Sequence, residues 1–221
     1  MTPNKQAARR TSQRPPQQAR PTRKFPLIPV IGGVAAVALI VTVLLTFDQG
    51  GGGGLEVGNP EMTGPGLPAF VDSAQDAAVG LAAPEVSGTD FGDQPVTITN
   101  DGTAKMIMFV AHWCPHCQRE VPIVSDWLAA NPLPAGIDFY SVSTGVSDVR
   151  DNYPPSSWLE RENWNVPVLM DDSVGSVAGA FGLNAYPYWV FVEADGTVAG
   201  RVSGGVEPAT LNLIVADLAT P

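Results

Sequence analysis

The stretch Ala111-His112-Trp113-Cys114-Pro115-His116-Cys117-Gln118-Arg119-Glu120 holds both cysteines and both histidines of the 221-residue chain. An apolar run at 106–110 precedes it, and a helix-like run at 120–130 follows it. This pattern predicts a buried strand that leads into a helix, with the two thiols at the turn. Pro115 suits the first helical position, because the N–H that proline lacks has no partner there.

The spacing of the two cysteines determines the chemistry that we expect of them. At the predicted helix N-cap, Cys114 faces unpaired N–H groups and the positive end of the helix dipole, which favour a thiolate. A protonated His116 would add a positive charge beside that thiolate. Cys117 lies one turn further along, within reach to resolve a mixed disulfide. The pair is therefore predicted to carry out thiol–disulfide exchange.

A closely spaced cysteine pair can also form a structural disulfide, attach a haem or bind a metal. A structural disulfide across so short a loop would constrain little of the unfolded chain. A C-x-x-C-H haem attachment is excluded, because Gln118 stands where that motif requires histidine. A metal site stays open, and closed zinc sites usually use two separated ligand pairs. The potential ligands are His112, Cys114, His116 and Cys117. A chaperone for copper or another metal that uses the same thiols is therefore the alternative function.

The charges of the chain are segregated. Seven of its 12 Lys and Arg residues lie within the first 24 residues, and no Asp or Glu precedes Asp48. Residues 27–47 carry no charge, and as a helix they would span about 30 Å, the thickness of a bilayer core. We expect 1–26 to be a disordered basic cytoplasmic tail and 27–47 to be a transmembrane anchor. A cleaved signal peptide is the alternative, although 45–49 offers no small-x-small cleavage site.

This topology predicts a single-pass membrane protein with a cytoplasmic N-terminus and an extracytoplasmic catalytic domain. The compartment beyond the membrane is generally more oxidising than the cytosol, so an isolated cysteine pair has redox work available there. The expected partners are thiols or disulfides of exported proteins, a membrane redox partner, and the lipid bilayer through 27–47. We expect no nucleic-acid partner.

The rest of the sequence predicts a linker and one folded domain. Five consecutive glycines at 50–54, and more Gly and Pro after them, predict a flexible linker over 48–80 with a short helix inside 69–80. Residues 81–221 form the predicted domain. Its order of elements predicts a parallel sheet with an antiparallel hairpin, covered by helices. The predicted strands are 96–99, 105–111, 137–142, 166–170, 188–193 and 197–203, and the predicted helices are 115–130, 156–163, 173–181 and 208–218.

This order, with a Cys-x-x-Cys at the first strand-to-helix turn, resembles the thioredoxin fold over about 80–218. Trp113-Cys114-Pro115-His116-Cys117 is similar to the redox motif of that superfamily. Pro122 matches its helix proline, and Ala185-Tyr186-Pro187 matches its cis-proline loop. Further stretches resemble the membrane-anchored TlpA/ResA branch, namely Gly80-Leu81-Ala82-Ala83-Pro84, Val168-Leu169-Met170-Asp171, Ala180-Phe181-Gly182-Leu183 and Val192-Glu193-Ala194-Asp195-Gly196.

The resemblance implies an α/β thioredoxin fold, with a central mixed sheet and flanking helices, and a role for each motif residue. Cys114 would be the attacking thiol and Cys117 the buried resolving thiol. Pro187, in the cis form, would pack against the pair, and Tyr186 would offer backbone groups to a bound substrate strand. Trp113 and Pro115 would border the substrate. The exchange would need no cofactor.

Glu120 falls where ResA-like proteins carry an active-site glutamate. Helical spacing independently places it on one face with Cys117 and His116, where its carboxylate could exchange protons with Cys117. A solvated helix glutamate is the alternative interpretation. The dipeptide Pro115-His116 is that of DsbA, an oxidant, whereas TlpA/ResA-like proteins are usually reductants. The direction of electron flow is therefore left open by the sequence.

Overall fold

The computed structural model describes residues 54–220, which contain two β-sheets. A small antiparallel sheet has the strand order β1-β2-β3, with β1 at Glu61–Thr63, β2 at Glu85–Thr89 and β3 at Pro95–Ile98. A five-stranded sheet has the order β6-β5-β4-β7-β8. Its strands are β4 at Ala104–Val110, β5 at Ile137–Ser143, β6 at Val168–Met170, β7 at Tyr188–Val192 and β8 at Val198–Ser203.

Strand β4 is the centre of the larger sheet, and all seven of its residues are buried. Strands β5 and β6 run parallel to it, whereas β7 and β8 form an antiparallel hairpin against its other edge. The predicted α/β fold class with a mixed sheet is confirmed. The second sheet was only partly predicted, because the sequence indicated β3 and neither β1 nor β2.

Four α-helices cover the sheet, together with a 3₁₀ turn at Ser73–Gln75. They are α1 at Pro115–Ala130, α2 at Pro155–Arg161, α3 at Ser176–Ala180 and α4 at Pro208–Leu218. Helices α1 and α4 have the predicted bounds, whereas α2 and α3 are shorter than predicted. Helix α1 continues through Pro122 and carries the Cys-x-x-Cys motif at its first turn.

The large sheet separates two apolar clusters. The cluster beneath α1 contains both cysteines, Val121 and Trp189. The cluster on the opposite face contains Phe109 and Phe181, and it includes residues of the segment before β2, among them Leu67 and Phe70. The dithiol therefore lies against the core, at the end of the most deeply buried strand.

The prediction of a flexible linker over 48–80 is wrong for residues 54–80, which pack against the rest of the domain. Strand β1 pairs with β2, Leu67 and Phe70 are each only 7% exposed, and the Asp76 carboxylate forms a buried ion pair with Arg201. The Gly- and Pro-rich composition predicted a flexible coil, but these apolar and charged side chains find partners far along the chain. The folded unit therefore begins well before residue 81.

The predicted tail at 1–26 and the predicted anchor at 27–47 lie outside the described residues. Between residues 54 and 220, no helix is long and apolar enough to cross a bilayer.

Candidate active site

The two cysteines occupy the first turn of α1 and differ in their access to solvent. Cys114 is the N-cap of the helix, with Pro115 at the first helical position as predicted. Cys114 is 6% exposed and Cys117 is 0% exposed, and both are free thiols in this structure. Because only Cys114 meets solvent, a macromolecular disulfide can approach only that sulfur.

The loop before β7 closes over Cys114. The peptide bond between Tyr186 and Pro187 is cis, as predicted, and the Cys114 thiol donates to the Tyr186 carbonyl at 3.8 Å. Pro187 is itself buried. Burial of the Tyr186 ring raises the pKa of its hydroxyl, so this side chain stays neutral over the physiological range. The structure thus brings Cys114 together with Tyr186 and Pro187, which follow it by more than 70 residues in the sequence.

Trp113 forms a wall beside the dithiol. Its indole Nε1 donates to the Gly145 carbonyl at 2.7 Å, and its ring meets Tyr186 edge-on with centroids 5.8 Å apart. The Arg150 guanidinium lies over the Trp113 ring, 4.9 Å from its centroid. These three contacts fix the ring in one orientation.

Cys117 lies behind Cys114 in the apolar cluster. Burial strongly raises the pKa of its thiol, and the nearby sulfur of Cys114 and carboxylate of Glu120 act in the same direction. The Cys117 sulfur is therefore held protonated until something removes its proton.

Glu120 is buried rather than solvated, which overturns the alternative interpretation of this residue. It is 8% exposed, and its Oε1 accepts a hydrogen bond from the Val206 N–H at 2.6 Å. Burial raises the pKa of the Glu120 carboxyl and Glu207 adds to that effect, while the Val206 N–H opposes it. No Lys or Arg pairs with it among residues 54–220.

Gly205 explains how a carboxylate fits there. A Cβ added to Gly205 would lie 2.4 Å from the Glu120 Oε2. The backbone of Gly205 is outside the left-handed region, so backbone freedom does not account for a glycine at this position. The absence of a side chain leaves room for the carboxylate. Sequence reasoning missed Gly205 and Val206, because they follow Glu120 by more than 80 residues.

His116 is exposed and contacts an arginine on the same helix. A guanidinium nitrogen of Arg119 lies 2.7 Å from the His116 Nδ1. Guanidinium only donates, so the His116 Nδ1 is the acceptor in this contact. Arg119 therefore places a positive charge beside the motif, one turn further along α1 than His116. The sequence pattern had not indicated a role for Arg119.

His112 binds the loop between β5 and α2 through both of its ring nitrogens. Its Nδ1 donates to the Asp151 carbonyl at 2.7 Å, and its Nε2 accepts from the Ser147 N–H at 3.2 Å. Burial lowers the pKa of the His112 imidazole, in agreement with this neutral form. Both ring nitrogens are occupied, so His112 is not available to a metal. Within residues 54–220, no group of three or more His, Cys, Asp and Glu side chains has an arrangement that could hold a metal ion.

Comparisons with known proteins agree with the thioredoxin-like fold. A model of the AhpC/TSA family matches residues 79–201, more than half of the chain, and the chain therefore belongs to the AhpC/TSA family. The soluble secreted antigen MPT53 of Mycobacterium tuberculosis (strain ATCC 25618 / H37Rv) is 28% identical over 124 residues. This match spans 56% of the present chain and 65% of the antigen, slightly less than two thirds of that relative.

Three solved structures are similar. One is described as a secreted Mycobacterium tuberculosis disulfide oxidoreductase homologous to E. coli DsbE, with 27% identity, a TM-score of 0.50, and coverage of 59% of this chain and 94% of that one. MTB DsbF is 26% identical with a TM-score of 0.50, covering 60% and 94% of the two chains. The thioredoxin domain of a Bacteroides vulgatus thiol-disulfide oxidoreductase is 20% identical with a TM-score of 0.53, covering 65% and 99%, and it supports the thioredoxin-like fold alone.

Proposed function

We propose that this member of the AhpC/TSA family is a membrane-tethered thiol–disulfide oxidoreductase that exchanges disulfides with exported proteins. The observation that carries the proposal is the asymmetry of the dithiol. Cys114 keeps a small exposed fraction, 6%, and lies against the Tyr186 carbonyl and the cis-Pro187 loop, while Cys117 has no exposed surface. A structural disulfide would need no such difference in access between its two sulfurs. The two mycobacterial proteins, at 26% and 27% identity, support the same reaction class.

The exchange consists of two displacements at sulfur. The Cys114 thiolate attacks one sulfur of a substrate disulfide, the substrate S–S bond breaks, and the second substrate sulfur leaves and is protonated. Cys117 then loses its proton and attacks the Cys114 sulfur of the mixed disulfide. The substrate leaves as a dithiol with two electrons and two protons, and Cys114 and Cys117 are joined. The reverse sequence oxidises a substrate dithiol.

The surrounding residues have distinct proposed roles in these steps. The raised pKa of Cys117 keeps it protonated during the first displacement, and Glu120 is the candidate acceptor of its proton in the second. The Tyr186 backbone would bind an extended substrate strand, with Pro187 packed against the dithiol. Trp113, held by Gly145, and Pro115 would border that strand. His116 would adjust the stability of the thiolate, in concert with the Arg119 contact.

The location and partners are inferred from sequence. The uncharged span 27–47 and the basic residues before it support an anchor with a cytoplasmic tail. The redox domain would then work outside the cytoplasm, where a membrane redox partner must restore the dithiol or the disulfide after each turnover. The TlpA/ResA-like motifs support this tethered arrangement. The exchange itself needs no organic cofactor or metal.

Trapping in intact cells tests this function. In full-length Cys117→Ala the mixed disulfide cannot be resolved, so we expect Cys114 adducts on non-reducing gels that disappear with dithiothreitol. Mass spectrometry should identify exported proteins in the adducts. Cys114→Ala is the matched control, and we expect it to trap little, because the remaining Cys117 is fully buried.

Two results would contradict the proposal. If Cys117→Ala formed no adducts while the protein was present at normal levels, the exchange mechanism would fail. If the trapped proteins were cytosolic, the proposed topology would be wrong although the chemistry was right.

A further inference from the structure

The folded part of the chain is strongly acidic. All but Asp48 of the 22 acidic residues lie within residues 54–220, together with only five of the 12 Lys and Arg residues. Two of these five cations are buried in ion pairs, Lys105 with Asp101 and Arg201 with Asp76. The remaining three, Arg119, Arg150 and Arg161, are exposed. Because exposed cations are rare on this domain, their positions indicate where a negatively charged partner could bind.

Two of the exposed arginines contact motif residues on either side of Cys114 in the sequence, and we call the surface that they form with these residues the mouth of the dithiol. Arg119 lies on α1 and contacts His116, which directly precedes Cys117. Arg150 lies on the loop between β5 and α2 and stacks on Trp113, which immediately precedes Cys114. The third, Arg161 on α2, donates to the Asn152 side chain at 3.1 Å, and no hydrogen bond or ion pair joins it to the motif within residues 54–220.

Neither Arg119 nor Arg150 forms an ion pair within residues 54–220, despite the excess of carboxylates. Asp148 and Asp151 lie on the same loop as Arg150 and are exposed, yet neither pairs with it. The partners of the two guanidinium groups are an aromatic face and an imidazole nitrogen. Their remaining N–H donors are free to meet a carboxylate from outside, for which the planar guanidinium fork is well matched.

We propose that Arg119 and Arg150 select target segments that carry Asp or Glu next to the reactive cysteine. This inference rests on the proposed function, because it concerns the substrate of the same site. At physiological ionic strength a charge acts over about 8 Å, so carboxylates further from the two arginines are screened from such a segment. The exposed Asp148 and Asp151 weaken the preference locally, but neither occupies the Arg150 guanidinium. Charge complementarity at the mouth therefore sets the preference, and it acts on recognition and encounter rate rather than on chemistry.

The test uses three short peptides with the same intramolecular disulfide, flanked by two Glu, two Gln or two Lys residues. The reduced full-length protein is mixed with each peptide, and the second-order rate constant for peptide reduction is measured by acid quench. We expect the Glu peptide to react about tenfold faster than the Lys peptide at physiological ionic strength, where the remote carboxylates of the domain are screened. The ratio should shrink as ionic strength is raised further, because the exposed arginines are then screened as well.

Variants assign the preference to the two side chains. In Arg119→Gln/Arg150→Gln the ratio between the Glu and Lys peptides should fall to about one or below, while the Gln peptide changes least. Arg161→Gln removes the same charge from an arginine that is not bonded to the motif, and it should retain the preference. Arg150→Lys should retain part of it, since the charge remains without the fork.

The outcomes separate the two proposals. Exchange with the Gln peptide but equal rates for the Glu and Lys peptides would overturn this inference and leave the proposed function intact. A preference that survives in the double variant would also overturn it. Absence of exchange with all three peptides would count against the proposed function itself, and the inference would fall with it.

Discussion

Asp76 and Glu120 are two buried carboxyl groups, one on each side of the central sheet, with opposite environments. The Asp76 side chain is 1% exposed and is bound by the guanidinium of Arg201, which holds the pKa of Asp76 below its ordinary value of 3.8. Glu120 has no cation, only the Val206 N–H, and burial raises its pKa above the ordinary value of 4.5.

This difference distinguishes a structural charge from a chemical one. The Arg201 guanidinium also donates to the Pro68 and Phe181 carbonyls at 2.9 and 3.0 Å, so the ion pair ties residues 68–76 to the sheet. Glu120 accepts a single hydrogen bond, from the Val206 N–H, and so holds no segment as long as 68–76 against the sheet. It lies one helical turn from Cys117. A carboxyl whose pKa is raised is closer to giving and taking protons at neutral pH.

The largest expected effect comes from breaking the ion pair. Asp76→Asn leaves the buried Arg201 charge without a counter-ion, which should lower the free energy of unfolding by about 3–5 kcal/mol in urea at pH 7. Asp101→Asn is the contrasting variant: the Asp101 side chain is 48% exposed, so water can take its place beside Lys105, whose Nζ also donates to the Thr103 carbonyl. We expect a loss of about 1 kcal/mol or less there. Equal losses in the two variants would show that Asp76 has no special structural role.

A smaller effect should follow from filling the space beside Glu120. Gly205→Ala places a Cβ 2.4 Å from the Glu120 Oε2 and should cost about 1–3 kcal/mol, the usual range for overpacking. Gly179→Ala is the control, because a Cβ there meets nothing within 4 Å and alanine favours the helix.

Truncating the carboxylate should remove that cost. In the Glu120→Ala background, Gly205→Ala should become nearly neutral, which a double-mutant cycle in urea measures. If the cost of Gly205→Ala were the same in both backgrounds, the glycine would not be required by the carboxylate.

The smallest effect is a difference in pH dependence. Because the folded state raises the Glu120 pKa, ionisation of this group destabilises the fold increasingly as pH rises above about 4.5. Glu120→Gln should therefore gain stability relative to the parent between pH 4 and pH 7, by about 1 kcal/mol or less.

Asp76 has the opposite sign. Its lowered pKa stabilises the fold above about 3.8, and that contribution is lost as pH falls. The deficit of Asp76→Asn should thus shrink towards pH 3 while the gain of Glu120→Gln disappears. Urea titrations at several pH values measure both, and parallel pH curves for the two variants would contradict the comparison.

Local sequence was sufficient for the central features of the domain. The apolar run before Ala111, the two cysteines and the helical pattern after them predicted β4, the turn and α1, with Pro115 and Ala130 as the ends of the helix. These elements depend on periodicity and on helix-start signals within a few residues of one another. The hairpin of β7 and β8 was predicted for the same reason, from the turn residues between them.

Tertiary structure decided what joins distant residues. The glycine- and proline-rich composition of 54–80 predicts a coil, and only the sheet that Leu67 and Phe70 cover makes the segment part of the fold. Asp76 meets Arg201 across 125 residues of chain. Neither partner has a local signal for the other, because the energy of burial depends on the finished core.

The residues of the candidate site likewise fall into those that the sequence predicted and those that only the tertiary structure revealed. The sequence alone predicted a redox pair at Cys114 and Cys117, with a metal site as the alternative, because a helix start favours the thiolate form of a cysteine. It placed Glu120 on the same helical face but left open whether that residue was solvated. The loop at 205–206 decided this by covering the carboxylate. The sequence did not indicate a role for Arg119 or Arg150. Only the fold showed that they contact His116 and Trp113 of the motif.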